Sequence, residues 1–176
     1  MHRTDFGGMH CSIARAVQII GESWTPLILR DLLLGLNQFE EIREDLGIST
    51  NILTDRLNTL VEHGVVERLP YGERSDRNEY LLTEKGEDAV SIVLAMLAWG
   101  DRWETGVAGV PTEVLHESCG HTTRVVMHCA ECQETIRLYE LSYHRGPGSQ
   151  SGPGTRLLQE HLAPPIGSSD LPAAPR

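Results

Sequence analysis

The chain has 176 residues, of which 40% are hydrophobic and 23% charged, and its mean hydropathy is −0.24. This composition is typical of one or two small globular domains, and it excludes both a disordered chain and a large catalytic barrel with a separate cofactor domain. Fifteen Lys and Arg against 25 Asp and Glu give a net charge of −10, which does not favour non-specific binding to polyanions. The chain has no apolar run of about 18 residues and no secretory signal, so we expect a cytoplasmic protein without a membrane partner.

The first hundred residues predict a mainly helical domain. The apolar spacing favours helices from Ser12 to Ile20, from Thr25 to Leu34 and from Phe39 to Leu46, each followed by a glycine. In the second of these, Thr25 precedes Pro26 and is expected to cap the helix, because a Pro suits the first helical position.

A fourth helix is predicted after Ser49, its expected N-cap, and it ends before Gly64. Its leucines recur at helical spacing, which predicts one buried stripe and one polar face. Two strands follow, from Val65 to Leu69 and from Glu79 to Leu82, around a polar tip. A last long helix then runs to Trp103 with a wide apolar stripe.

This order of elements is that of a winged helix-turn-helix, in which the helix after the turn enters the major groove of DNA. The predicted DNA-binding residues are the polar face of the fourth helix and two arginines of the wing: Ser49, Thr50, Asn51, Thr54, Arg56, Asn58, Arg74 and Arg77. The alternative is a merely solvated helix face. The acidic balance of residues 1–103, which hold 10 Lys and Arg against 17 Asp and Glu, also argues against DNA binding unless the arginines cluster on one face.

The run from Cys11 to Gly86, followed by LAMLAWGDRW, closely resembles the HxlR family of bacterial winged-helix transcriptional regulators. The resemblance is carried in order by the residues Cys11 to Ala16, by IGESWTPLILRDLL, GISTNILTDRL and YLLTEKG, and by the pair Trp99 and Trp103. It implies a homodimer formed by the first and last helices, with one reading helix per half-site of double-stranded DNA. The wide stripe with Met96, Trp99 and Trp103 favours the same interface, although core packing is the alternative.

Cys11 is a lone cysteine just before the first helix, where the helix dipole favours a thiolate. The resemblance implies a redox- or electrophile-sensing residue there, since some HxlR-type regulators use a cysteine at the corresponding point. The alternative is an inert packing residue.

Cys119, His121, Cys129 and Cys132 form two short Cys/His motifs, which predict one structural zinc ion per chain in a small ribbon. His116 and His128 are alternatives to His121 as the fourth ligand. Short strands are expected from Glu113 to Leu115, from Thr123 to Met127 and from Thr135 to Leu141. The HxlR-type proteins with a similar extension usually have Gly after the second motif, where this chain has Gln133.

The predicted fold class is therefore mainly α (α+β): a winged helix-turn-helix with a long C-terminal dimerisation helix, a small β zinc ribbon and a disordered tail. The corresponding domains are residues 1–104, a linker at 105–112, the ribbon at 113–145 and a flexible tail at 146–176, where six of the nine prolines lie.

The function predicted from these features is a DNA-binding repressor that responds to an oxidant or small-molecule effector. An enzyme is not expected, because the sequence has no HExxH, phosphate-loop or GxSxG motif. The alternative function is a zinc-dependent interaction or metal/redox-sensing module without sequence-specific DNA binding.

Overall fold

The computed structural model describes residues 5–72 and 77–167 and has an α+β architecture. The chain divides into two compact units, one formed by residues 19–125 and the other by residues 1–18 together with 126–176. The first part of the predicted ribbon, up to residue 125, thus belongs to the same unit as the predicted winged helix.

Residues 19–125 contain most of the secondary structure. Helix α1, Ser12–Ile20, leads into this unit, which continues with α2 Thr25–Leu33, α3 Phe39–Leu46, α4 Thr50–Glu62, β1 Val66–Pro70, β2 Asn78–Leu82, α5 Glu84–Trp103, β3 Val114–His116 and β4 His121–Thr123. The predicted first four helices and the wing strands are confirmed to within two residues.

One core joins α2, α3, α4, the wing and the start of α5. Fully buried aliphatic side chains from three helices meet there, namely Ile28, Leu29, Ile42, Leu53, Leu57 and Leu60. The leucines of α4 follow the spacing i, i+4 and i+7, so this helix buries one stripe and leaves its other face to solvent. Burial of such side chains contributes about 1.5–3 kcal/mol each, which makes this core the main source of stability.

The turn between α3 and α4 sets the direction of the second helix. Gly47 ends α3 with φ of +59°, a left-handed conformation that favours glycine. Ile48 is buried, and the hydroxyl of Ser49 accepts a hydrogen bond of 3.4 Å from the backbone N–H of Ile52. The predicted N-cap of α4 is therefore confirmed.

The predicted cap of α2 is wrong. Thr25 is the first residue of the helix, the N-cap is Trp24, and no side chain caps it. Thr25 is buried at 1% exposure, so packing places this residue inside the helix, while Pro26 keeps the early position expected of it.

The two strands β1 and β2 form an antiparallel wing in which Arg68 lies opposite Tyr80. The wing is tied to the helix-turn-helix by an antiparallel bridge between Gln38 and Glu79 and by a hydrogen bond from Tyr80 N–H to the carbonyl of Asn37. The start of α5 is tied to the end of α4, since the hydroxyl of Thr83 donates to the carbonyl of Gly64 and accepts from the N–H of Gly86.

A second hairpin follows α5. Strands β3 and β4 pair antiparallel, with His116 directly opposite His121. The expected first ribbon strand is confirmed within one residue. The second expected strand, from Thr123 to Met127, is wrong, because β4 already ends at Thr123. The third, from Thr135 to Leu141, is also wrong. Residues Leu138–Glu140 form a 3-10 helix there, and the nearby Thr135 makes only an isolated bridge with His128.

The described part of the other unit consists mostly of turns held by backbone hydrogen bonds. Its last segment contains α6, Leu158–His161, and the buried Thr155, whose hydroxyl donates to the carbonyl of Gln150. The backbone N–H of Arg145 donates to the carbonyl of Ala163.

Among the helices of the described residues, none is long and apolar enough to cross a membrane.

Candidate nucleic-acid interface

The outer face of α4 is a row of short polar side chains. Asn51, Thr54 and Asn58 lie at i, i+3 and i+7, and all three are exposed, as are Ser49 and Thr50 at the helix start. Amide and hydroxyl groups of this kind donate to and accept from base edges in the major groove. The buried leucines on the opposite face hold the row in place.

Arg56 does not belong to this row. Its side chain is only 15% exposed, and its guanidinium Nη1 lies 3.4 Å from Oε1 of Glu22. The expectation that Arg56 faces outward with the other residues of α4 is therefore wrong. It was assigned by helical position, whereas its long side chain folds back toward Glu22.

Sequence reasoning missed Ile52, which is 42% exposed although it is apolar. It lies outside the leucine stripe of α4, and this position is the sequence signal that could have predicted its exposure. An exposed apolar side chain beside polar readers can contact the methyl group of thymine.

The wing supplies the cations. Arg68 and Arg77 are exposed, and neither forms an ion pair with a described residue. Arg77 follows the tip, where its carbonyl accepts a 2.8 Å hydrogen bond from the N–H of Tyr71. Arg74 lies outside the described residues. Arg68 was missed because the prediction considered only the tip of the wing.

Arg30 connects the two helices that precede the turn. Its guanidinium donates to Oδ1 of the buried Asp31 at 2.6 Å and to Oδ2 of Asp45 at 2.8 Å. Burial raises the pKa of the Asp31 carboxyl above its ordinary value, and Arg30 lowers it by a smaller amount. Oδ2 of Asp31 is buried and has no hydrogen-bond partner among the described residues.

Cys11 lies directly before α1, as expected. It is half-buried, and its carbonyl accepts a 3.1 Å hydrogen bond from the N–H of Arg15 in the first turn of the helix. Its thiol is free.

The β3–β4 hairpin carries the first Cys/His motif. Sγ of Cys119 lies 3.3 Å from Nδ1 of His116, and Gly120 has φ of +69°. A sulfur and a nitrogen ligand of a tetrahedral zinc ion lie about 3.5 Å apart, given bond lengths near 2.3 Å to sulfur and 2.0 Å to nitrogen. The hairpin thus brings Cys119 together with His116, one of the two alternatives to the predicted His121.

The turn from Cys129 to Gln133 carries the second motif. Gln133 N–H donates to the carbonyl of Cys129, and Gln133 has φ of +60°, the left-handed conformation that the usual glycine would adopt there. Its amide group donates to the carbonyl of Ala130 at 2.9 Å, a bond that glycine could not form. Backbone hydrogen bonds from Cys132 and Glu131 hold the pKa of the Cys129 thiol below its ordinary value.

Within residues 5–72 and 77–167, no group of three or more His, Cys, Asp or Glu side chains is arranged to hold a metal ion. The hairpin contributes a thiol and an imidazole, and the turn contributes two thiols.

Comparison with known proteins identifies the family of the unit formed by residues 19–125. The family model of HxlR-like helix-turn-helix proteins matches residues 19–107, which include α2 to α5 and the wing.

Relatives extend the similarity beyond this range. An uncharacterized HTH-type transcriptional regulator of Mycobacterium tuberculosis, Rv3095, is 36% identical over 137 residues, which are 78% of this chain and 87% of the relative. Because the family model spans 89 residues, the alignment also includes residues outside it.

Two solved structures are also similar to most of the chain. PA1607, a candidate transcription factor, is 30% identical with a TM-score of 0.69 over 77% of this chain and 95% of that one. PA1374 of Pseudomonas aeruginosa, also a candidate transcription factor, is 35% identical with a TM-score of 0.56 over 86% of this chain and all of the other. The chain belongs to the HxlR-like helix-turn-helix family of DNA-binding transcriptional regulators.

Proposed function

We propose that this regulator is a repressor that binds operator DNA as a homodimer, with one α4 helix in the major groove of each half-site. The observation that carries the proposal is the exposed row of Asn51, Thr54 and Asn58 above a buried leucine stripe. In this arrangement α4 reads base edges, while Arg68 and Arg77 of the wing neutralise phosphates. Because its target is the chromosome, the protein acts in the cytoplasm.

The experiment is selection of bound duplexes from a random library, followed by titration of the selected site. We expect wild type to enrich one motif with dyad symmetry. Asn51→Ala should lose about 1–3 kcal/mol on that site and relax the preference at particular bases, because one side chain reads one or two base pairs.

Glu62→Gln is the matched control, since Glu62 is exposed at the opposite end of the same helix. It should leave the selected motif unchanged. Failure of wild type to enrich any motif would contradict the proposal and favour the alternative of an interaction module without sequence-specific DNA binding.

The dimer is supported by an apolar face of α5 that the described chain does not cover. Ile92, Met96, Trp99 and Trp103 follow the spacing i, i+4, i+7 and i+11, and the last three are 53–60% exposed. Ile13 and Val17 of α1 are exposed at i and i+4. Large contiguous apolar faces of this kind are typical of protein interfaces.

We also propose that the chain holds one structural zinc ion through Cys119, Cys129, Cys132 and one histidine. The residues fit this ion in two respects: the donor set of thiols and imidazole is the one zinc prefers, and Gln133 adopts the turn conformation that the second motif needs. When bound, the metal supplies folding free energy to a segment with few buried side chains.

Metal analysis of the purified protein tests this second proposal. We expect about one zinc per chain in wild type, a large loss in Cys132→Ser, and no loss in Cys11→Ser. His121→Ala, His116→Ala and His128→Ala decide which imidazole is the ligand, because only one of the three should release the metal. Wild type that retains no zinc in buffers without chelator would contradict the proposal.

Cys11 is proposed as the redox-responsive residue. Its place at the start of α1, a helix of the proposed dimer interface, would link thiol oxidation to DNA binding. Diamide should abolish operator binding by wild type and leave Cys11→Ser active; an equal loss in both proteins would contradict the sensor role.

A further inference from the structure

A cavity of about 610 Å³ lies between the C-terminal half of α5 and the β3–β4 hairpin. Its floor is formed by Leu94, Leu97 and Ala98 of α5, and the hairpin side contributes Val114, Thr123 and Val125. Pockets for small organic molecules have volumes of roughly 300–1,000 Å³ and are lined mainly by apolar side chains with a few polar groups. The volume of this cavity lies in that range, and its lining combines six apolar residues with three threonines and four charged residues.

The cavity and the proposed dimer contact use opposite faces of α5. Leu94, Leu97, Ala98 and Asp101 lie at i, i+3, i+4 and i+7. Ile92, Met96, Trp99 and Trp103 have the same kind of spacing, and their row is displaced by roughly half a helical turn, given 3.6 residues per turn. A dimer formed through the tryptophans therefore leaves the cavity face available.

The charges that line the cavity are balanced. Two arginines, Arg102 and Arg124, are matched by Asp101 and Glu113, and none of the four forms an ion pair with a described residue. Arg102 instead stacks on the ring of Trp103 at 4.6 Å. A net charge of zero gives no preference for an anion or a cation, while the free polar groups can hydrogen-bond to a ligand.

We infer that this cavity is the binding site for a largely apolar, uncharged small molecule with polar substituents. A molecule seated there contacts α5 and the hairpin together, on the side of α5 that faces away from the proposed dimer contact. The inference goes beyond the proposed function, and its test uses no DNA, so its failure is distinguishable from a failure of DNA binding.

The test uses the full chain and two fluorescent probes with the same aromatic body. N-phenyl-1-naphthylamine is uncharged, and 1-anilinonaphthalene-8-sulfonate carries an added sulfonate. We expect saturable binding of the uncharged probe at one site per chain, and binding of the sulfonate that is no tighter. A sulfonate affinity more than tenfold higher would overturn the assigned ligand class.

Variants locate the site. Ala98→Trp fills the floor of the cavity, and Thr123→Trp fills it from an exposed position on the hairpin, so at least one of the two should keep the fold. Either folded variant should weaken the uncharged probe by at least tenfold.

Met96→Gln is the matched control on the opposite face of α5 and should leave the affinity unchanged. Unchanged affinity in the folded cavity variants, loss of binding in Met96→Gln, or no saturable binding by wild type would each overturn the inference.

Discussion

Asp31 shows how burial changes the chemistry of one side chain. Its carboxyl is 1% exposed, and one oxygen accepts no hydrogen bond from the part of the chain that the structure describes. Burial therefore raises its pKa even though Arg30 lies beside it. In the folded state the carboxyl therefore holds its proton to higher pH than in the unfolded chain, where its ordinary pKa is near 3.8. Protons bound preferentially by the folded state make stability fall as pH rises.

The expected result is a pH-dependent stability difference between wild type and Asp31→Asn. The contribution of the Asp31 carboxyl to the free energy of unfolding is fully present below about pH 3.8 and is lost once the pH exceeds its raised pKa. Relative to the variant, wild type should lose stability as the pH rises from about 3.8 through the raised pKa, by about 1.4 kcal/mol for each pH unit separating the folded and unfolded pKa values.

Urea unfolding at low protein concentration measures this difference. Asp45→Asn is the control, because it removes an exposed carboxylate from the same guanidinium. A difference between wild type and Asp31→Asn that stays constant with pH would contradict the assignment.

At the level of elements, the junction between α5 and the wing has no room for a side chain at Gly86. A Cβ there would overlap the carbonyl oxygen of Val65, and Leu82 side-chain atoms lie 3.1–3.2 Å from its position. Gly86→Ala must therefore displace backbone, which we expect to lower the free energy of unfolding by about 1–3 kcal/mol.

Gly100→Ala in the same helix is the matched control. A Cβ at Gly100 meets no atom within 4 Å, so the substitution should raise stability by about 0.5–1 kcal/mol through helix propensity. Thermal unfolding of the two variants checks the predicted loss of stability in Gly86→Ala and the predicted gain in Gly100→Ala. A Gly86→Ala variant as stable as wild type would show that the junction has room for a side chain.

The two exposed arginines of the wing should make DNA binding depend on salt concentration. Arg68→Ala and Arg77→Ala should each weaken DNA binding by a similar factor on every sequence and reduce the slope of log affinity against log salt by about 1. Arg43→Ala is the control, because Arg43 is already paired with Glu40. Titrations at four salt concentrations measure the slopes. An effect confined to the selected site would instead assign the wing arginines to base readout.

At the scale of the whole molecule, the exposed face of α5 predicts the oligomeric state. We expect wild type to sediment at twice the 19.5 kDa chain mass at micromolar concentration. Trp99→Asp should give monomers, because a carboxylate cannot be buried in an apolar interface without a partner.

Leu34→Asp is the control for this measurement, since Leu34 is at least as exposed as Trp99 but lies directly after α2. Monomeric wild type, or dimeric Trp99→Asp, would contradict the proposed interface.

The elements that have local signals could be predicted from the amino-acid sequence alone. Apolar spacing identifies α1 to α4, Ser49 and Gly47 mark the turn between α3 and α4, and the alternation around a polar tip identifies the wing. These signals are readable because backbone hydrogen bonding, caps and turn conformations depend on residues within a few positions of one another. The family resemblance belongs to the same level, since its motifs lie mostly in these elements.

Local patterns could not predict where long side chains lie or which faces of the elements meet. Arg56 has the helical position of a DNA-reading residue, but its guanidinium is mostly buried and lies 3.4 Å from the carboxylate of Glu22. Thr25 has the sequence of a cap and is buried inside α2, while Gln133 adopts a left-handed conformation that its residue type disfavours. The cavity beside α5 likewise combines residues from Leu94 to Val125 that no local pattern relates. The position of Arg56, the burial of Thr25 and the cavity depend on contacts between segments distant in sequence, whose packing free energy outweighs the local preference. The conformation of Gln133 is instead held by hydrogen bonds within its own turn.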